Sequence, residues 1–194
     1  MACGSEKLSV MPAGSKVLVL GDSLSYGTGA AENQDYPTLL ALNTGWDIVN
    51  AGVPGDTSAQ GLARLPALLE EHQPNLLMIE LGGNDFLQKL PVAQTKANLK
   101  AIIQSANLKS IPTLLIAIPD YQPIKAALIG LSDHALYATL AKETKTPLIE
   151  DTFASVLTKN ALKADYVHPN AQGYRLVEEK MRKSLAELGL FNAK

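Results

Sequence analysis

A serine hydroxyl is a poor nucleophile near neutral pH. It needs an imidazole to take its proton and a carboxylate to hold that imidazole in the right tautomer. The chain carries such a set in two places. Ser23 lies in Gly21-Asp22-Ser23-Leu24-Ser25, directly after the apolar run at residues 17–20. Asp165 and His168 lie in Asp165-Tyr166-Val167-His168-Pro169, three residues apart on one short loop. A serine that follows a strand is by itself more often a helix N-cap, so Ser23 gains chemical meaning only from the distant Asp-x-x-His. The rival imidazoles are weaker. His72 sits in Glu70-Glu71-His72-Gln73 and reads as an exposed helix end, and His134 follows Asp133 within a helical segment. Both fit solvated surface.

Acyl transfer also needs donors aimed at the oxygen that gains charge in the tetrahedral intermediate. Two turns offer them: the glycine turn that contains Gly52 and Gly55, and Gly82-Gly83-Asn84, where the Asn84 amide is a neutral side-chain donor. Either turn alone is explained by the turn preferences of Gly and Asn. Four pieces in order, three of them after short apolar runs and all at loops expected on one sheet edge, are harder to explain that way.

Those runs define the elements that must position the site. Residues 17–20, 46–50, 76–81, 113–118 and 148–149 read as short strands, each continuously apolar or nearly so. Between them lie helical patterns. Asp35 caps one, with Pro37 in its first turn and Gly45 at its end. Leu62, Leu65, Leu68 and Leu69 form a second, which Pro66 is expected to kink or divide. A third covers residues 92–108. The last starts near Asn170 and puts Tyr174, Val177, Met181 and Leu185 on one face. Residues 121–132 are apolar but weakly capped and read as loop with some helix. Alternating strands and helices predict a three-layer α/β/α sandwich around a five-stranded parallel sheet of flavodoxin-like order. Ligands bind at the carboxyl ends of such strands, the edge at which the loops carrying all four pieces are expected. The expected organisation is a flexible tail at residues 1–15 and one domain at 16–194.

The 17 basic and 19 acidic residues leave a formal charge of -2, so no basic surplus exists to bind nucleic acid. No apolar run approaches the roughly 20 residues that span a bilayer. The single cysteine, Cys3, permits no internal disulfide and no cysteine-based metal site.

Gly21-Asp22-Ser23-Leu24-Ser25, the Gly55 turn, Gly82-Gly83-Asn84-Asp85 and Asp165-x-x-His168-Pro169 resemble the four signature blocks of the SGNH, or GDSL, hydrolases. The likeness runs over nearly the whole chain from Lys16. It is nearest to the bacterial thioesterase I, lysophospholipase and arylesterase subgroup, helped by Asp56-Thr57-Ser58 and Gly61-Leu62-Ala63-Arg64-Leu65-Pro66. The resemblance implies Ser23 as nucleophile, His168 as base and Asp165 as its orienting carboxylate. It implies an oxyanion hole from the Ser23 amide, the Gly55 amide and the Asn84 side chain. Gly55 is preferred to Gly52 because the family's donor directly precedes the Asp-Thr-Ser stretch. The expected function is hydrolysis of acyl esters or thioesters (aryl esters, acyl-CoA, lysophospholipids) through an acyl-enzyme, with no metal or organic cofactor required. A carbohydrate O-acetylesterase of the same mechanism is the alternative substrate reading. A flavodoxin-like nucleotide- or flavin-binding module is the alternative of another class, but neither G-x-G-x-x-G nor G-x-x-x-x-G-K-[ST] is present.

Phe86, Leu87 and Leu90 after Asn84, and Ile124 and Leu128 after Pro119, suit the wall of an acyl pocket and equally suit a cap on the core. In the resembling thioesterases the loop after the oxyanion Asn shifts on acyl binding, which marks residues 86–89. Ala2-Cys3-Gly4-Ser5 resembles the end of a bacterial lipoprotein signal. It predicts a cell-envelope or periplasmic enzyme anchored through lipidated Cys3, with Met1-Ala2 standing where a signal peptide was. The alternative is an incidental cysteine in the tail of a cytoplasmic enzyme.

Overall fold

The computed structural model describes residues 9–121 and 130–192. Cys3, Ile124 and Leu128 lie outside them. In chain order the elements are β1 (Lys16–Gly21), α1 (Ser23–Tyr26), α2 (Tyr36–Thr44), β2 (Asp47–Gly52), α3 (Ser58–His72), β3 (Leu76–Glu80), α4 (Gly83–Leu87) and α5 (Val92–Leu108). Then follow β4 (Thr113–Ile116), α6 (Ala135–Thr144), β5 (Leu148–Ile149), α7 (Phe153–Leu157), a 3-10 turn (Asn160–Leu162) and α8 (Ala171–Glu187).

All pairings in the sheet are parallel, in the order β2-β1-β3-β4-β5. The three inner strands are apolar on both faces because both faces are covered. Val17, Leu18, Val19 and Leu20 on β1 and Leu76, Leu77, Met78 and Ile79 on β3 have no solvent-exposed surface. Helices α3, α5 and α6 pack side by side in one layer, and α2 packs on α8 in the other. Tyr36, Phe153 and Tyr174 are fully buried, and Tyr36 meets Phe153 edge to face. This is the three-layer flavodoxin-like sandwich that the strand and helix pattern predicts.

Several local expectations need correction. Pro66 does not divide α3, which is one helix from Ser58 to His72. Pro66 lies on the exposed face, while Leu65 and Leu69 stay buried on the other, so packing holds the helix through the lost hydrogen bond. The α3 start is fixed by a capping box: Thr57 accepts from the Gln60 amide, and the Gln60 side chain accepts from the Thr57 amide. His134 lies at the N-cap of α6 rather than within a helix, and its Nδ1 accepts from the Leu136 amide. Helices α1, α4 and α7, five residues or shorter, were not legible as helices. Two of them carry site residues.

Among the described residues no helix is long and apolar enough to cross a membrane.

Candidate active site

Strand β1 ends at Gly21, and the chain turns at once into the single helical turn α1. Asp22 caps it, its Oδ1 accepting from the Leu24 amide at 3.0 Å. Ser23 is therefore the first residue of α1 and lies directly above the carboxyl end of the sheet. His168 arrives from the other end of the sequence, on the loop before α8. That loop is tightly pinned. Asp165 Oδ1 accepts from the Val167 and His168 amides at 2.9 and 2.8 Å, and Ala164 donates to the His168 carbonyl. Asn170 caps α8 by accepting from Gly173.

The two segments meet. His168 Nε2 is 2.9 Å from Ser23 Oγ, and His168 Nδ1 is 2.8 Å from Asp165 Oδ2. Desolvation pushes the Asp165 carboxyl up, but the hydrogen bonds from the His168 ring and the two amides outweigh it and hold it below the ordinary value. An ionised carboxylate only accepts, so Nδ1 carries the imidazole proton. The Nε2 lone pair is left facing the Ser23 hydroxyl.

Beside Ser23 a cavity of about 220 Å³ is lined by Gly55, Asn84, Leu87, Thr28, Tyr121 and His168 among others. Gly52 is not on this wall. It packs under α1, where a Cβ would come 2.4 Å from the Tyr26 amide nitrogen, so the position admits only glycine. Asn84 rides on α4. Its Nδ2 donates to Asp22 Oδ2 at 3.1 Å and to the Asp56 carbonyl at 2.9 Å, which fixes the amide at the cavity edge.

Helix α4 is fixed in turn by Asp85, which is buried and accepts from the Ser58 amide at 2.7 Å, from the Ser58 hydroxyl and from Thr95 Oγ1 at 3.1 Å. The turn before α3 and the turn after β3 are thereby joined. Arg64, on α3, ties the same region to β1. Its Nε donates to Asp56 Oδ2 at 2.7 Å and its Nη2 to the Gly21 carbonyl at 2.8 Å.

Of the expected wall residues, Leu87 lines the cavity. Phe86 instead stacks flat on His134, with ring centroids 4.2 Å apart, and Leu90 is half-buried away from the described cavity wall. Ile124 and Leu128 are outside the described residues. Tyr121 and Thr28 are cavity residues that sequence reasoning missed. Neither stands in a polar motif, and both reach the site only through the fold. His72 lies at the end of α3, beside Glu71.

Asp22, on the cavity wall, and Glu80 are both buried. Burial pushes Asp22 up to about 7, with Asp56 and Asp85 adding to the shift. Burial and the nearby Asp22 carboxyl push Glu80 up as well. Among the described residues no group of three or more His, Cys, Asp or Glu is placed to hold a metal ion.

A parallel sandwich with a Ser-His-Asp relay at the carboxyl edge of its first strand defines a class of acyl-transfer hydrolases. Residues 19–176 match the GDSL-like Lipase/Acylhydrolase family, and the chain belongs to it. It is 37% identical over 180 residues to the thioesterase 1/protease 1/lysophospholipase L1 of Escherichia coli K12, across 89% of this chain and 84% of that protein. It is 32% identical to the arylesterase of Vibrio mimicus, across 90% of each. Among solved structures it is similar to the psychrotrophic esterase EstA of Pseudoalteromonas sp., inhibited by monoethylphosphonate. The TM-score is 0.77 and the identity 28%, over 89% of this chain and 97% of that one. The protein is a hydrolase of this family, and a nucleotide- or flavin-binding module is set aside.

Proposed function

We propose that the protein is a serine esterase or thioesterase that cleaves acyl esters or thioesters through an acyl-enzyme on Ser23. The observation that carries this reading is the continuous relay from Ser23 Oγ through His168 to Asp165, at 2.9 and 2.8 Å, opening on a cavity that Gly55 and Asn84 also line.

In the first half-reaction Ser23 Oγ attacks the acyl carbon and its proton passes to His168 Nε2. Asp165 stabilises the imidazolium that results. The carbonyl oxygen becomes an oxyanion, faced by the Ser23 amide, the Gly55 amide and Asn84 Nδ2. Of the two Asn84 hydrogens, the one directed at Asp22 is drawn to the new charge, while the bond to the Asp56 carbonyl keeps the side chain in place. Collapse expels the leaving oxygen or sulfur, which takes the proton from His168. A water then gives its proton to His168 and attacks the acyl-enzyme, releasing the acid and restoring Ser23. The relatives' names, a thioesterase/protease/lysophospholipase and an arylesterase, support thioester, lysophospholipid and aryl ester substrates.

The experiment is turnover of p-nitrophenyl esters from acetate to palmitate, beside an acyl-CoA and a lysophospholipid, with wild type and Ser23→Ala. Hydrolysis of at least one class by wild type and none by the variant is expected. Undiminished turnover by Ser23→Ala would sink the reading. We further propose an envelope location through lipidated Cys3, supported by Ala2-Cys3-Gly4-Ser5. Activity in the membrane fraction should then be lost on Cys3→Ser, and membrane activity that survives the substitution would contradict it.

A further inference from the structure

Glu80 ends β3 with none of its surface exposed, and no step of the reaction uses it. Its Oε2 accepts from the Ser25 amide at 3.0 Å, from Ser25 Oγ at 2.7 Å and, more weakly, from the Asp22 amide at 3.4 Å. Ser25 Oγ also lies 2.8 Å from the Tyr36 hydroxyl, which donates to it while Ser25 donates to Glu80. The other oxygen, Oε1, is buried with no hydrogen-bond partner among the described residues. A carboxyl buried this way, with one oxygen orphaned, is costly, so its place calls for a reason beyond stability.

The reason lies in the amides of the nucleophile turn. The Leu24 amide donates to Asp22 Oδ1, and the Asp22 and Ser25 amides donate to Glu80. Among the described residues, only the Ser23 amide in this stretch has no acceptor. The Gly21 carbonyl is held from the opposite side by Arg64 Nη2 and by the Val53 amide. The turn is thus clamped with a single N–H left over, and that one belongs to the residue whose Oγ meets His168. The fit is close: a Cβ on Gly21 would stand 2.9 Å from Glu80 Oε2 and closer still to Ser25 Oγ.

We propose that Glu80 is a positioning residue for the proposed acyl transfer: its Oε2 holds α1 from below, so that the Ser23 hydroxyl faces the acyl carbon while the Ser23 amide faces the carbonyl oxygen. It acts through Ser25 and Asp22 and touches no substrate. The inference rests on Ser23 being the nucleophile, as proposed above. Because burial favours the neutral acid, an amide of the same shape can take its place as acceptor, whereas a shorter acid cannot reach Ser25.

The test compares Glu80→Gln, Glu80→Asp and Glu80→Leu with wild type. It measures kcat and KM on p-nitrophenyl butyrate, the rate of fluorophosphonate labelling, and Tm. Glu80→Gln should lower Tm, since its NH₂ has no acceptor where Oε1 stands, yet keep kcat within about fivefold. Glu80→Asp and Glu80→Leu should lose about 10²-fold in kcat and in labelling rate, the scale expected when a nucleophile is misplaced by about 1 Å, with KM nearly unchanged. Should Glu80→Leu fail to fold, Glu80→Asp against Glu80→Gln decides alone. Overturning results are a folded Glu80→Asp with wild-type kcat, or losses that track Tm across the series, which would make Glu80 merely structural. Ser23→Ala runs in parallel: if it stays active, the nucleophile assignment has failed rather than the role of Glu80.

Discussion

In the proposed mechanism Ser23 serves twice, with its Oγ as nucleophile and its N–H as an oxyanion donor, so both must face one cavity. That demand explains why so many polar groups are buried around one turn. It also ranks the substitutions. Ser23→Ala and His168→Ala should each lower kcat by about 10⁶, because the relay acts as a unit. Asn84→Ala removes one donor of several and should cost on the order of 10²–10³. Steady-state kinetics on a short p-nitrophenyl ester checks all three, and a loss with His134→Ala in place of His168→Ala would contradict the assignment. The meeting of Ser23, Asp165 and His168 was legible because Gly-Asp-Ser after an apolar run and Asp-x-x-His are short local patterns. Glu80 and Arg64 were not. Glu80 ends an apolar strand and Arg64 sits on an amphipathic helix, where a charged residue ordinarily means solvent. Only the fold turns both inward.

At the scale of elements, α4 does the most for its size. It has five residues and follows Gly82, an N-cap with no side chain to hold it. Its hold on the protein is Asp85, whose loss would strand the Ser58 and Thr95 donors. Asp85→Ala should therefore destabilise by on the order of 1–3 kcal/mol, read by denaturant titration, and should lower kcat as Asn84 shifts. Full stability in that variant would show the clamp to be idle. The same helix separates two neighbours the sequence could not tell apart. Leu87 faces the cavity and Phe86 packs on His134, because one step along a helix turns a side chain by about 100°. Leu87→Ala should thus change the preferred acyl length, whereas Phe86→Ala should lower stability and leave the profile in place; the ester series reads both. The helix was missed for a physical reason. Gly-Gly-Asn carries a turn signature, and a single helical turn adds no periodicity to read. Pro66 misled in the opposite sense, since tertiary packing of Leu65 and Leu69 outweighs one missing hydrogen bond.

Across the whole molecule, the order β2-β1-β3-β4-β5 brings the ends of β1, β2 and β3 to one edge, and the loop before α8 returns His168 there. Strand periodicity sufficed for this because the inner strands are covered on both faces and so read as unbroken apolar runs. The cost of the arrangement is a set of buried carboxyls, and it appears as a pH dependence of stability. Burial raises Asp22 from 3.8 to about 7. As pH rises the unfolded carboxyl ionises first. The proton held by the folded state therefore contributes stability that is complete below pH 3.8 and is lost as pH rises through about 7. Denaturation midpoints between pH 4 and 8 should fall more steeply for wild type than for Asp22→Asn, and equal slopes would contradict the shift. The central claim, that Ser23 is the activated nucleophile of the His168 and Asp165 relay, is tested most directly by treating the protein with a fluorophosphonate and mapping the adduct by peptide mass spectrometry. A single adduct on Ser23, formed far more slowly in His168→Ala, is the expected result. An adduct on another residue, or labelling of Ser23 at the same rate without His168, would contradict it.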